Sequence, residues 1–362
     1  MALPVSSLRT TLLVLLSLGL TLALGLLLPE ALKLFLTFLG LPCDNASHAI
    51  VLMYFVFMLF LAMPSIPRGS VPVQGKVVLI TGCDSGFGLA LAKHLHKIGF
   101  TVFAGCLLKN QNGEGAQELE SFHCNRMKVL QLNVTKEEEV TKAVEYVKKN
   151  LDDSDEGLWG LVNNAGISTF GEVEFTSLDT YKEIAEVNLW GLIRITKAFL
   201  PLVRQKKGRV VCMASMFGRM GNSSRSSYCV SKYGVEAFSD CLRQEMYKWG
   251  VKVIIIEPGN FVAATGILTK EVVERRGQEM WEQASETVRA DYGKVNFFNQ
   301  VAKMKAYVST GVKEMTPVIS VVTDALTSKY PYTRYNPIDT YHWIKLQIMS
   351  HLPAAIADTI YS

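Results

Sequence analysis

Tyr228 and Lys232 stand four residues apart in a segment with a helical pattern, so their side chains share one face of the predicted helix. A free tyrosine has a pKa of about 10, too high for a base at neutral pH. A lysine ammonium beside a phenol favours the phenolate and lowers that pKa, as proton transfer from an alcohol requires. On its own, this Tyr-x-x-x-Lys spacing is common in amphipathic helices and assigns no function.

Two more polar residues accompany the pair. Ser215 ends a predicted strand, and the carboxyl ends of strands in an open parallel sheet meet at the ligand crevice. Asn188 lies inside a predicted helix, where a short amide side chain is mildly unfavourable unless it has a polar task. Ser215 and Asn188 are therefore candidates for the same polar site as Tyr228 and Lys232.

A glycine-rich turn precedes these residues in the chain. The β-branched run 76–81 (KVVLIT) leads into GCDSGFG at 82–88 and then into a helical pattern that ends at Gly99. Gly82 permits a tight turn, Gly86 lets the backbone approach a pyrophosphate, and Gly88 allows close packing of helix on strand. The turn predicts a dinucleotide site, with phosphate at a helix N-terminus.

The same alternation continues along the chain. Predicted strands cover 76–81, 101–105, 128–132, 158–163, 208–214 and 251–256, and the longest predicted helices between them cover 135–149, 178–205 and 226–249. Strands that alternate with helices predict an α/β fold with a doubly wound parallel sheet.

Taken in order, these motifs resemble the short-chain dehydrogenase/reductase family over residues 73–265, together with Asn163-Asn164-Ala165-Gly166 and Pro258-Gly259. The resemblance implies a Rossmann-type domain in which the cofactor carries the hydride chemistry. It also implies cofactor contacts at Gly82, Asp84, Ser85, Gly86, Phe87, Gly88, Cys106, Asn133, Val134, Asn164, Ala165, Gly166, Tyr228, Lys232, Pro258 and Gly259.

The family's catalytic roles carry over residue by residue. Tyr228 is expected to be the acid/base, and Lys232 to lower its pKa and hold the nicotinamide ribose. Ser215 is expected to polarise the substrate oxygen, and Asn188 to anchor a water in a proton relay.

The residues after the second strand bear on the cofactor type. Cys106 stands where an acid would indicate NAD or an arginine NADP. Asp84 is an alternative carboxylate for the adenosine ribose, or the acceptor of a local Asx turn. Lys109 points towards NADP, but with the resemblance the balance favours NAD. Asn133-Val134 replaces the Asp-Val pair of many family members.

Arg225 bears on the substrate, because a small 3-hydroxy acid needs a cation for its carboxylate. It lies three residues before Tyr228, and Arg219 is a second candidate. Segments such as WGLVNNAGISTFGEVEF and the tail 331–353 resemble the mitochondrial 3-hydroxy-acid dehydrogenases of this family. That resemblance implies (R)-3-hydroxybutyrate and acetoacetate, phospholipid contact and a tetramer. The alternatives are a retinol or hydroxysteroid dehydrogenase of the endoplasmic reticulum and a dinucleotide-binding scaffold without turnover.

The remaining features concern the ends of the chain and its composition. Residues 11–28 and 49–63 are uncharged and apolar, which favours a membrane anchor in residues 1–72 over a cleaved signal or a transit peptide. Residues 266–362 are expected to form a substrate lid, and the tyrosines of the tail suit a lipid headgroup boundary. The 37 basic and 33 acidic residues exclude a phosphate-neutralising nucleic-acid binder. Seven scattered cysteines without a Cys-x-x-Cys pair predict neither a disulfide framework nor a metal site.

Overall fold

The computed structural model describes residues 68–151 and 157–361, and before them only positions 15, 19, 30, 33–35, 37 and 38, all helical. The chain divides into the units Met1–Arg68 and Gly69–Ser362, and the second unit contains the sheet and the predicted site residues. The apolar runs 11–28 and 49–63 lie almost wholly outside the described residues. Among the helices that are described, none is both long enough and apolar enough to cross a membrane.

A seven-stranded parallel sheet forms the centre of the second unit, with strand order β3-β2-β1-β4-β5-β6-β7. Its strands are β1 Val77–Thr81, β2 Thr101–Cys106, β3 Met127–Gln131, β4 Gly160–Asn163, β5 Arg209–Met213, β6 Lys252–Ile256 and β7 Arg334–Tyr335. The predicted α/β fold with a parallel sheet is confirmed, and β7 is a strand that the sequence analysis did not predict.

Helices cover both faces of the sheet. In chain order they are α1 Gly86–Ile98, α2 Glu114–Glu120, α3 Glu137–Lys149, α4 Leu178–Ala185, α5 Leu192–Gln205, α6 Ser226–Met246, α7 Val262–Thr265, α8 Lys270–Gln283, α9 Glu286–Tyr292, α10 Lys294–Tyr307, α11 Thr316–Thr327, α12 Thr340–His351 and α13 Ala354–Tyr361. Val78 and Ile80 of β1 pack towards α1 and α11, whereas Val77 and Leu79 pack towards α3 and α5. A strand covered on both faces is apolar along most of its length, as β1 is from Val77 to Ile80.

The helix predicted over 178–205 is interrupted. Between α4 and α5, Glu186–Gly191 forms a π-helical turn. Such wide turns often occur at functional sites because they redirect a side chain. Here the turn carries Asn188.

Residues beyond β6 add two apolar clusters to the unit. Helices α8 and α10 pack around Phe170 and Phe175, and Leu346 of α12 packs on Met216 and Phe217, directly after Ser215.

Candidate active site

A cavity of about 460 Å³ opens at the carboxyl ends of the strands. Predicted site residues that line it are Gly82, Asp84, Ser85, Gly86, Phe87, Asn133, Val134, Asn164, Ala165, Gly166, Ser215, Arg225, Tyr228, Lys232, Pro258 and Gly259. Gly88, Cys106 and Asn188 do not line it. The cavity therefore joins the glycine turn to the predicted catalytic group.

The glycine turn is closely packed against the segment after β4. Gly82 has φ +71°, and a Cβ there would lie 2.8 Å from the Ala165 Cα. A Cβ on Gly88 would lie 2.0 Å from the Gly82 carbonyl oxygen. The Asn164 amide holds the turn by donating to the carbonyl oxygens of Thr81 (2.9 Å) and Gly82 (3.1 Å). The geometry fits a pyrophosphate at the N-terminus of α1.

Asp84 joins the turn to the segment after β2. Its two carboxylate oxygens accept the N–H groups of Leu107 and Leu108, each at 2.8 Å. Both leucines line the cavity, whereas Cys106 is buried beside them. The Asx turn considered from the sequence occurs at Asn133 instead, whose side chain accepts the Thr135 N–H at 3.0 Å. Asp84 is thus a carboxylate at the cavity wall whose position is fixed by two backbone donors.

Asn188 forms a two-way hydrogen bond with Ile167. Its Oδ1 accepts the Ile167 N–H (2.8 Å), and its Nδ2 donates to the Ile167 carbonyl oxygen (2.9 Å) and to the Ser231 hydroxyl (3.1 Å). The π-helical turn places this buried amide against the segment that follows β4. Asn188 therefore fixes the cavity wall at Ile167 and bonds the helix that carries Tyr228.

Tyr228 and Lys232 lie on the buried face of α6. The Lys232 Nζ donates to the Met213 carbonyl oxygen at 2.7 Å and lies 5.6 Å from the centre of the Tyr228 ring. Burial lowers the pKa of Lys232 to about 8, while the nearby Glu236 opposes this. The ammonium is thus tied to the end of β5, beside the phenol.

The expected direction of the Tyr228 pKa shift is wrong. Burial raises the pKa of Tyr228 above its usual 10, against the lowering predicted from Lys232. The Arg225 charge and the Ser215 hydroxyl oppose this rise. Desolvation penalises the phenolate, and the spacing in the sequence does not reveal how deeply the ring is buried.

Arg225 is 4% exposed and its guanidinium reaches the cavity next to Tyr228. Its carbon Cζ lies 5.5 Å from the ring centre of Tyr228, 5.7 Å from that of Phe217 and 6.0 Å from that of Tyr307. Nη2 donates to the Ser168 hydroxyl at 3.0 Å, and Nε is buried without a hydrogen-bond partner in the described structure.

The other candidate cation, Arg219, does not line the cavity and pairs with Glu257 at 3.5 Å. Sequence analysis missed Ser168, Phe217 and Tyr307. Tyr307 ends α10, far along the chain from any motif, so no local signal could have indicated it.

The fold and site define a dehydrogenase of the short-chain type, and the similarity of the chain to known proteins supports this. The family model for short chain dehydrogenases matches residues 76–276. The chain therefore belongs to the short-chain dehydrogenase family.

Individual relatives are more specific. The chain is 58% identical over 291 residues to the mitochondrial D-beta-hydroxybutyrate dehydrogenase of Bos taurus, covering 80% of this chain and 85% of that protein. It is 41% identical over 289 residues to retinol dehydrogenase 7 of Rattus norvegicus, covering 80% and 88%. In structure it is similar to a short chain dehydrogenase/reductase of Burkholderia phymatum solved with NAD, with a TM-score of 0.62, 18% identity, and coverage of 77% and 94%. That last likeness concerns the fold alone.

Proposed function

We propose that this chain catalyses the NAD-dependent interconversion of (R)-3-hydroxybutyrate and acetoacetate. The observation that carries the proposal is the buried guanidinium of Arg225 beside Tyr228, in the same cavity. A hydroxy acid with one carbon between its carbinol and its carboxylate places these two groups a short distance apart. Relatives that are 57–58% identical and named D-beta-hydroxybutyrate dehydrogenase support the same substrate.

The protein's part in the reaction follows from its own groups. Arg225 binds the carboxylate with a forked, charge-assisted contact, and Ser168 holds one arm of that fork. Ser215 donates to the substrate oxygen. Tyr228 takes the hydroxyl proton during oxidation and returns it during reduction. The bound dinucleotide supplies the hydride acceptor or donor.

The residues present fit such a dinucleotide. The packed glycines leave room for a pyrophosphate, and Lys232 of α6 lines the cavity with its ammonium held by the Met213 carbonyl oxygen. Asp84 places a negative charge at the wall near Leu107 and Leu108. A fixed carboxylate there repels the 2′-phosphate of NADP, and this favours NAD.

Initial rates on a panel of substrates test the proposal. Purified enzyme is assayed with (R)-3-hydroxybutyrate, all-trans-retinol and estradiol, each with NAD and with NADP. Turnover of hydroxybutyrate with NAD is expected. Turnover of retinol or estradiol alone would refute the hydroxy-acid assignment, since neither has a carboxylate for Arg225. Cofactor binding without turnover of any substrate would indicate a scaffold.

We further propose a division of labour among three parts of the chain. Residues 1–72 anchor the chain to a membrane, residues 73–265 carry the chemistry, and residues 266–362 form a lid whose tail contacts phospholipid. Tyr330, Tyr332 and Tyr341 are exposed in that tail. The names of the mitochondrial relatives favour mitochondria. The uncharged apolar runs 11–28 and 49–63 favour the endoplasmic reticulum as the alternative. Flotation with phosphatidylcholine vesicles tests the lipid contact.

We also propose that the chain assembles into a homo-oligomer. Trp190 and, on α6, Val230 and Tyr233 are exposed aromatic and aliphatic residues, which suits contact with a second copy. Light scattering of the purified protein tests whether it forms the tetramer implied by the family.

A further inference from the structure

A partly buried cluster of charges lies against α6 and does not line the cavity. Arg334, on β7, contacts three carboxylates: its Nη2 lies 3.0 Å from the Glu236 Oε2 and 2.7 Å from the Asp240 Oδ2, and its Nε lies 3.1 Å from the Glu257 Oε1. Glu257 is fully buried and Glu236 is 6% exposed. Buried carboxylates this close to one another need a shared cation, because the loss of hydration is otherwise uncompensated.

Glu236 connects this cluster to both halves of the catalytic group. It follows Lys232 by one helical turn on α6, so both side chains are on the same face. It also packs under the turn that follows Ser215: a Cβ built on Gly218 would lie 2.9 Å from its Cγ. Only glycine leaves room there for the carboxylate.

We propose that Arg334 is a positioning residue for catalysis: it fixes the Glu236 carboxylate beneath the Ser215 turn and one turn from Lys232. The short strand β7 thereby makes the tail of the chain part of the catalytic machinery. The backbone secures Arg334 in place, since β7 pairs with β6 through Ile255 and Ile256.

The charges around Glu236 determine how the loss of Arg334 changes the pKa of Lys232. Burial and the charge of Glu257 raise the pKa of Glu236 to about 7, and Arg334 opposes this rise. Without Arg334, Glu236 is neutral at higher pH and no longer favours the charged form of Lys232. The pKa of Lys232, about 8, then falls further.

Two further arginines lie near this cluster, and the charge of Arg219, like that of Arg334, lowers the pKa of Glu236. Arg219 approaches Glu257 at 3.5 Å, and Arg243 pairs with Asp240 at 3.2 Å. Cys212, on β5, also faces Lys232, and burial raises the pKa of its thiol to about 11, so it is uncharged at neutral pH.

The test compares Arg334→Gln, Arg334→Lys and Glu236→Gln in the full-length enzyme, with Arg243→Gln as the matched control. Arg243 is another arginine at the same cluster, but among the described residues its ion pair is with Asp240 and not with Glu236 or Glu257. Acetoacetate reduction and NADH affinity are measured from pH 6.5 to 9.5. Reduction needs Tyr228 and Lys232 protonated, so the rate falls as the pH rises through the lower of the two pKa values.

In Arg334→Gln and Glu236→Gln we expect the rate of acetoacetate reduction to fall at a pH about half a unit lower than in the wild type. The loss of rate relative to the wild type is then about threefold greater at pH 9 than at pH 6.5. A double variant that combines Arg334→Gln with Glu236→Gln should shift no further than either single variant. Arg334→Lys should shift less, and Arg243→Gln should not shift. A loss that is equal at every pH, with a lower melting temperature, would show that Arg334 is only a structural brace and would overturn the proposal.

The inference uses the proposed function only for its substrate. If the wild type binds NADH but does not reduce acetoacetate, the proposed function fails, and the pH dependence of NADH affinity still decides the role of Arg334. If Arg334→Gln does not fold, the charge-conserving Arg334→Lys and the nearly isosteric Glu236→Gln together give the result.

Discussion

Replacing Arg225 by Gln removes the one guanidinium that faces the cavity near Tyr228 in the described part of the chain, with two consequences. The first is on substrate binding: a hydrogen bond to a charged group contributes about 1.5–3 kcal/mol, which corresponds to a rise in the hydroxybutyrate KM of about 10- to 150-fold. The second is on the phenol. The Arg225 charge lies 5.5 Å from the centre of the Tyr228 ring and stabilises the phenolate by about 3 kcal/mol at an effective dielectric constant of about 20. This stabilisation is smaller where water enters the cavity.

The assay separates the two effects. Oxidation of (R)-3-hydroxybutyrate and of 2-butanol, which has no carboxylate, is followed at several pH values in the wild type, Arg225→Gln and Arg225→Lys. The preference for hydroxybutyrate over 2-butanol should collapse in Arg225→Gln. In the pH profile of the oxidation rate, the rise on the low-pH side should move to higher pH in Arg225→Gln with both substrates, because Arg225 lowers the pKa of Tyr228.

Arg225→Lys keeps the charge but not the fork, so this rise in rate should stay nearer its wild-type position. Arg276→Ala is the control, since Arg276 pairs with Glu183 on the surface. A KM that changes less than threefold in Arg225→Gln would refute the carboxylate site.

Three further changes are expected from the geometry of the site. Tyr228→Phe should abolish turnover and leave NADH affinity within about threefold of the wild type by fluorescence titration, since one hydroxyl is lost; lost binding would contradict the acid/base role. Gly88→Ala should reduce both melting temperature and NADH affinity, because its Cβ would lie 2.0 Å from the Gly82 carbonyl oxygen, whereas Gly221→Ala, with nothing within 4 Å, should change neither. Lys232→Met should change how stability depends on pH. The free energy of unfolding of the wild type, minus that of the variant, should rise by up to about 3 kcal/mol between pH 8 and 10.5, because in this range the unfolded chain binds a proton that buried Lys232 has lost. If denaturant titrations give the same difference at every pH, the pKa of Lys232 is not lowered.

Much of the fold could be predicted from local patterns. Residues 77–80 are all apolar because both faces of β1 are covered. The glycines after this strand have the spacing that the close packing at Gly82 and Gly88 requires. The positions of the proposed catalytic residues could also be predicted, since Ser215 follows closely on β5 and Tyr228 and Lys232 share the buried face of α6.

Features that local patterns could not indicate depend on contacts between distant segments. β7 has two residues, and its pairing with β6 comes from tertiary structure. Asn188 was expected in a regular helix, and the π-helical turn becomes evident only when its amide meets Ile167. Ser168 and Tyr307 approach Arg225 from separate segments, so neither has a sequence signal near that arginine.

The pKa of Tyr228 shows how far such contacts alter the chemistry. Burial opposes ionisation of the phenol, and the cation that counters it most is Arg225, not the lysine one turn away. The same guanidinium is the proposed partner of the substrate carboxylate. When a carboxylate binds there, it offsets the charge that favours the phenolate, so the phenol keeps its proton more strongly in the complex. Substrate selection and acid strength are then coupled through one residue, which is why KM and the pH profile must be measured on the same variants.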